Sequence, residues 1–149
     1  MSRSGPKGYR IAPVGWVENE VQEPMSQGWE DVTSEIVINP DLEECMEGIE
    51  QYAHITVIYW MDRVSEEGRR VKRVHPRGRE ELPLRGVFAT RSPYRPNPLG
   101  LTTVSLLARE GNKLRVKGLD ALNGTPVIDI KPHKDYDLPR GGETPGPAE

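Results

Sequence analysis

The order of apolar and polar positions along the chain predicts short strands and turns. Residues 9–17 are extended in character, with Pro13 and Gly15 marking an edge or bulged strand. Residues 18–33 show no clear period and hold Pro24, Gly28 and Trp29, a long acidic loop of the kind that often carries function. Residues 34–38 read as a short strand. Asn39-Pro40 is a helix start, and Leu42, Met46 and Ile49 recur at near-helical spacing to about Glu50, which predicts an acidic surface helix. The run ITVIYWM at 55–61 is the best central strand, and it ends in the charged pair Asp62-Arg63. Residues 69–74 read as a strand with one basic face, 78–83 as a loop, and 86–89 as a buried strand. Strands at 101–110 and 113–119 flank the hairpin signal Gly111-Asn112, and 127–130 follows the turn at 123–126. The pattern predicts an all-β fold, mainly an antiparallel barrel of about seven strands, with one or two short helices.

Between the strands at 86–89 and 101–110 lies RSPYRPNP, residues 91–98. Pro93, Pro96 and Pro98 fix φ, remove three backbone donors and push Ser92, Arg95 and Asn97 toward extended geometry. A stiff loop of this kind presents its side chains at little entropic cost on binding. Two guanidiniums, a phenol, a hydroxyl and a carboxamide form a recognition set, which we favour over a merely structural connection.

Composition narrows the classes. A chain of 149 residues supports one domain with a real core. We expect disorder at 1–8, the barrel at 9–137 and a flexible tail at 138–149. One cysteine, Cys45, excludes an internal disulfide and a cysteine metal cage, and three scattered histidines point to no metal site. No run approaches the ~20 apolar residues of a membrane span, and the start of the chain lacks a secretory h-region, so a cytoplasmic protein is expected. The net charge of −3 hides a segregation: residues 11–62 hold twelve acidic side chains and no Lys or Arg, whereas 63–95 hold ten basic and four acidic. The basic segment fits a phosphate-bearing partner, or else it pairs with the acidic half.

A second stretch, KGLDALNGTPVIDIKP at 117–132, places Asp120 and Asn123 around a tight turn. Both residues are ordinary turn formers. Alternatively, Asp120 accepts hydrogen bonds from a ligand while the backbone of Ala121 and Leu122 reads its polar edge. Asp129 would pair with Lys131 or Arg91. Neither a Gly-rich strand-to-helix turn nor a nucleophile elbow is present.

GVFATRSPYRPNPLGL followed by GLDALNGTPVIDIKP resembles the paired signature of the TsaA-like family of TrmO-type tRNA N6-adenine methyltransferases, in its short form without the C-terminal domain of longer bacterial members. GIEQYAHITVIYWMDR and IAPVGWVEN resemble two further segments of that family. The resemblance implies a small β-barrel that binds S-adenosyl-L-methionine, forms homodimers and methylates the exocyclic nitrogen of threonylcarbamoyl-adenosine beside the tRNA anticodon, with no role for DNA or membrane. Its cofactor contacts carry over to Pro24, Met25, Ser26, Asp62, Arg63, Arg91, Leu101, Asp120, Ala121, Leu122 and Asn123. The chain departs from the family at Asp62-Arg63, where a His-led pair is common, and at Asn123, where Asp is common.

In this reading Asn97 and Tyr94 are the catalytic candidates, orienting the acceptor base together with Arg95, and Tyr94 is available for stacking. Arg69, Arg70, Lys72, Arg73, Arg77 and Arg79, with Arg95, would bind RNA phosphates. Two alternatives stand beside it. One is methyl transfer to another substrate, and the other is a non-catalytic RNA- or cofactor-binding barrel.

Overall fold

A computed structural model describes residues 7–134, so the expectations for 1–6 and for the tail at 138–149 lie outside the described residues. Six strands close into an antiparallel barrel: β1 (Gly15–Glu18), β2 (Thr33–Ile38), β3 (His54–Trp60), β6 (Leu99–Glu110), β7 (Lys113–Lys117) and β8 (Pro126–Pro132). Their order around the barrel is β1-β2-β7-β6-β3-β8, with β8 returning to β1. This is the expected mainly antiparallel barrel of about seven strands, with six strands in the wall, an even number because every pair of neighbours runs antiparallel. The remaining two, β4 (Arg73–Val74) and β5 (Arg85–Gly86), pair as a small ribbon outside it.

Period-two alternation builds the wall. Ile55, Val57 and Tyr59 of β3 are buried, as are Val104 of β6, Leu114 and Val116 of β7, and Ile36 of β2. These side chains fill the interior, and Leu119 and Ala121 join the same cluster from the loop after β7. Outward positions carry surface ion pairs such as Glu35 with Lys113 and Arg115, each at 3.7 Å.

Local chemistry explains where the elements depart from the expected ones. The helix expected from Asn39 is two 3-10 segments, Pro40–Met46 and Ile49–Gln51. Asn39 does cap the first, its Oδ1 accepting from the Asp41 N–H at 3.1 Å. Gly48 at φ 87 then breaks the run, a conformation an α-helix does not contain. The strand expected at 69–74 shrinks to β4, because Ser65 caps a short helix, α1 (Glu66–Arg69), with its Oγ accepting from the Gly68 N–H at 3.0 Å. The buried strand expected at 86–89 is also corrected. After β5 the chain turns through a 3-10 segment, Val87–Ala89, in which Val87 is buried and Phe88 is 83% exposed. Among the described residues no helix is long and apolar enough to cross a membrane.

Strand direction decides which loops meet. Glu18 ends β1 opposite Glu35 near the start of β2, and Thr33 pairs with Lys117 at the end of β7. Trp60 ends β3 opposite Leu99 at the start of β6, and Tyr59 pairs with Val127 near the start of β8. The three long connections, 19–32, 61–98 and 118–125, therefore all leave from one end of the barrel.

Candidate functional site

At this loop-bearing end, a glycine creates the first feature of the site. Tyr59 of β3 lies across Gly100 of β6, its register partner, so closely that a Cβ at Gly100 would fall within the ring. An aromatic ring lying over a strand glycine is a recurring packing device. Here it carries the phenol to Asp120, whose Oδ1 accepts from the Tyr59 hydroxyl at 2.6 Å and from the Thr102 hydroxyl. Burial, and then the hydrogen bond to the Asp120 carboxylate, push the Tyr59 phenol well above its ordinary range, with Thr102 and Arg91 opposing. Tyr59 is therefore a neutral, permanent donor. A bulge between β3 and β8 falls between Ile58 and Tyr59, where the extra residue Ile128 adjusts the end of the pairing.

Hydrogen bonds tie several of the expected site residues to the loops beside Asp120. Arg91 reaches from the proline loop, its Nη1 donating to the Leu101 carbonyl at 3.3 Å. Asn123 and the early loop interlock: the Asn19 N–H donates to Asn123 Oδ1 at 3.0 Å, and the Asn123 N–H donates to the Val21 carbonyl at 2.9 Å. Asn19 Nδ2 donates to the Ala121 carbonyl at 2.9 Å. Arg63 ties in from the end of β3, donating to the Gln22 carbonyl at 2.6 Å. Met25 holds Trp29, its carbonyl accepting from the indole N–H at 3.1 Å, while Pro24 and Ser26 are exposed beside it and Asp62 is exposed beside Arg63. The carbonyls of Ala121 and Leu122 are both taken, the latter by the Thr125 hydroxyl at 2.7 Å. What this turn offers a ligand is therefore N–H donors and the Asp120 carboxylate.

Two cavities open here. β7 pairs with β6 only from Ser105 onward, so the first half of β6 has no strand beside it on that side. A cavity of about 570 Å³ lies there, lined by Thr102, Thr103, Lys117, Asp120 and Trp29. A larger groove of about 1150 Å³ runs between the ribbon and the proline loop, lined by Arg73, Arg77, Phe88, Arg91 and Tyr94. Arg91 lines this groove while its guanidinium reaches Leu101, next to Thr102 of the smaller cavity.

The proline loop is braced throughout. Arg95 Nη1 donates to the Thr90 and Ser92 carbonyls at 3.2 and 3.0 Å, and the Tyr94 N–H donates to Ser92 Oγ at 3.2 Å. The Met61 N–H donates to the Pro98 carbonyl at 2.8 Å. Tyr94 rests on α1, where a Cβ at Gly68 would sit 2.9 Å from its ring. Asn97 is exposed at the loop tip.

Of the basic residues expected on phosphate, Arg69 is committed to protein. Its Nε donates to the Pro96 carbonyl at 2.8 Å, its guanidinium stands 5.3 Å from the Trp60 ring centroid, and it pairs with Glu66 at 3.4 Å. Arg79 pairs with Glu81 at 2.7 Å. Arg70, Lys72, Arg73 and Arg77 are exposed and carry no ion pair among the described residues. Among the described residues no ion pair joins the basic segment to the acidic segment 11–62. No group of His, Cys, Asp or Glu among them is placed to hold a metal. The Asp129 expectation resolves to Lys131, at 3.6 Å.

Tyr59, Thr102 and Phe88 escaped sequence reasoning. The available signal for Tyr59 was a polar-tipped aromatic in an otherwise apolar strand, facing a Gly in PLGL. Phe88 had none, because an apolar run reads as buried.

Residues 18–137 match the model of the tRNA-methyltransferase O N-terminal domain. A probable S-adenosyl-L-methionine-binding protein of Archaeoglobus fulgidus is 52% identical over 101 residues, covering 68% of this chain and 26% of its own length. An S-adenosyl-L-methionine-binding protein of the same organism is 45% identical over 125 residues, covering 81% of this chain and 86% of its own. The crystal structure of TrmO from Pseudomonas aeruginosa superposes with a TM-score of 0.73 at 27% identity, covering 93% of this chain and 62% of that one.

Proposed function

The chain belongs to the family of tRNA-methyltransferase O N-terminal domains, and on that premise we propose that it is an S-adenosylmethionine-dependent methyltransferase acting on the exocyclic nitrogen of threonylcarbamoyl-adenosine beside the tRNA anticodon. The observation that carries the reading is the Asp120 carboxylate, held by two hydroxyls next to Arg91 where the three long loops converge. The relatives named for S-adenosyl-L-methionine binding support the choice of cofactor.

The residues present fit that cofactor. A cavity of about 570 Å³ is within the usual range for a small-molecule site. Asp120 accepts from ribose or amino groups and offsets positive charge. The N–H groups of Ala121 and Leu122 would donate to the adenine, and Arg91, which donates to the Leu101 carbonyl, would hold the side toward the groove. Pro24, Met25 and Ser26 would add contacts from the early loop, to which Arg63, beside Asp62, is tied through the Gln22 carbonyl. Asn123 acts by holding the early loop. When bound, S-adenosylmethionine supplies an electrophilic methyl group on a sulfonium centre. The protein's part is alignment, which can supply much of the rate of an in-line displacement. Tyr94 and Asn97 orient the acceptor base, and Arg70, Lys72, Arg73 and Arg77 hold phosphates, all in the cytoplasm. A second copy packs on the outward face where Ile58 pairs with Leu101 and Trp60 with Leu99, two exposed leucines.

Calorimetry with S-adenosylmethionine, followed by methylation of tRNA with and without the threonylcarbamoyl group, tests the proposal. Binding and labelling of the modified tRNA alone are expected. Equal labelling of both tRNAs moves the substrate elsewhere, binding without labelling leaves a binding module, and no binding removes the enzyme readings together.

A further inference from the structure

Phe88 is the most solvent-exposed large apolar side chain of the loop-bearing end, at 83%. It stands in the larger groove, with the ribbon forming one wall and the proline loop the other. Leaving a phenyl ring in water forgoes one of the larger burial gains a side chain offers. The groove sets Phe88, Tyr94 and Leu84 among Arg73, Arg77 and Arg91, against a single acidic lining residue, Glu80. The side chains of Arg73 and Arg77 are engaged by no other group among the described residues. Arg77 is, moreover, the one described non-glycine residue at positive φ, 56°, a region of backbone that such residues rarely occupy.

Aromatic faces interleaved with unpaired guanidiniums along an open groove match single-stranded nucleic acid. Any base can stack on an exposed ring, and the phosphates meet the cations. A duplex keeps its base faces covered and would leave Phe88 unused. A protein partner would have to bury those guanidiniums against carboxylates of its own.

We propose that this groove binds the unpaired nucleotides flanking the methyl acceptor, with one base stacked on Phe88 and the adjoining phosphates at Arg73 and Arg77. The proposal rests on the RNA methyltransferase reading and adds to it a subsite outside the reaction centre. Tyr94, wedged against Gly68, forms the fixed wall between the two.

Fluorescence anisotropy with labelled oligouridylate, alone and annealed to oligoadenylate, tests it without methyl donor or modified adenosine. The native chain should prefer the single strand. Phe88→Ala should weaken single-strand binding about ten-fold at fixed salt and leave the slope of log Kd against log salt unchanged, with Phe88→Trp restoring affinity. Arg77→Ala should lower that slope by about 0.7. Native-like binding by Phe88→Ala, equal losses on single strand and duplex, or no binding by the native chain would each overturn the proposal. A change of sedimenting mass on Phe88→Ala would also overturn it, because the ring would then be a contact between copies of the chain. Failure of the methylation assay alongside these results would remove the enzyme reading and leave the groove standing. Conversely, modified tRNA methylated by Phe88→Ala with an unchanged KM would remove the groove and keep the enzyme.

Discussion

Asp120 is held by geometry that begins two strands away. The Tyr59 ring reaches it only because residue 100 has no side chain. Gly100→Ala should therefore destabilise the fold by about 1–3 kcal/mol through overpacking, read from the denaturant midpoint. It should also weaken cofactor binding as the phenol is displaced. Tyr59→Phe keeps the ring and removes the donor, at a cost of about 1 kcal/mol. Calorimetry should show a milder loss of S-adenosylmethionine affinity for this variant than for Asp120→Ala, and an unchanged affinity would mean that Tyr59 acts only through packing. The pH dependence has a definite sign. The folded-state pKa of Tyr59 lies above its ordinary value near 10, so the unfolded chain releases this proton first as pH rises. The contribution is complete below about pH 10 and is lost above it. Wild type should lose more stability than Tyr59→Phe over that alkaline range and match its profile at neutral pH.

At the scale of elements, the proline loop works through its braces. Arg69 on α1 fastens Pro96 and covers Trp60 at the end of β3. Arg69→Ala should lower the methyl-transfer rate several-fold with an unchanged salt slope, whereas Arg73→Ala should lower the salt slope of RNA binding by about 0.7. Identical slopes for the two variants would dissolve the distinction. The loop itself was legible in the sequence because three prolines constrain the backbone whatever surrounds it. So was the hairpin at Gly111-Asn112, and so was the tight turn beside Asp120. The partners of Asp120 were not legible, since they depend on the pairing of β3 with β6, a contact between distant segments. α1 was hidden for a different reason: a four-residue helix has almost no periodicity, and its signal was the single cap at Ser65. Phe88 shows the opposite failure, where an apolar pattern four residues long implied burial that the fold does not provide.

The whole molecule divides its labour by strand direction. With six alternating strands, three connections leave one end, and at the other lie the two-residue hairpin 111–112 and the 39–53 link. Charge follows the same division. The acidic segment forms its described ion pairs with Arg109, Lys113 and Arg115 of the wall, while Arg70, Lys72, Arg73 and Arg77 of the connection 61–98 have no ion pair among the described residues. Raising salt from dilute to physiological levels should therefore weaken RNA binding steeply while leaving the folding midpoint nearly unchanged, since surface pairs contribute little to stability.

The hairpin end has a practical use. β3 alone interposes roughly 20 Å of packed strand between the two mouths of the barrel. A peptide tag, dye or surface linker inserted after Glu110 would hang from the far mouth, so an immobilised chain would display its loop-bearing face outward, with S-adenosylmethionine affinity equal to that of the free protein.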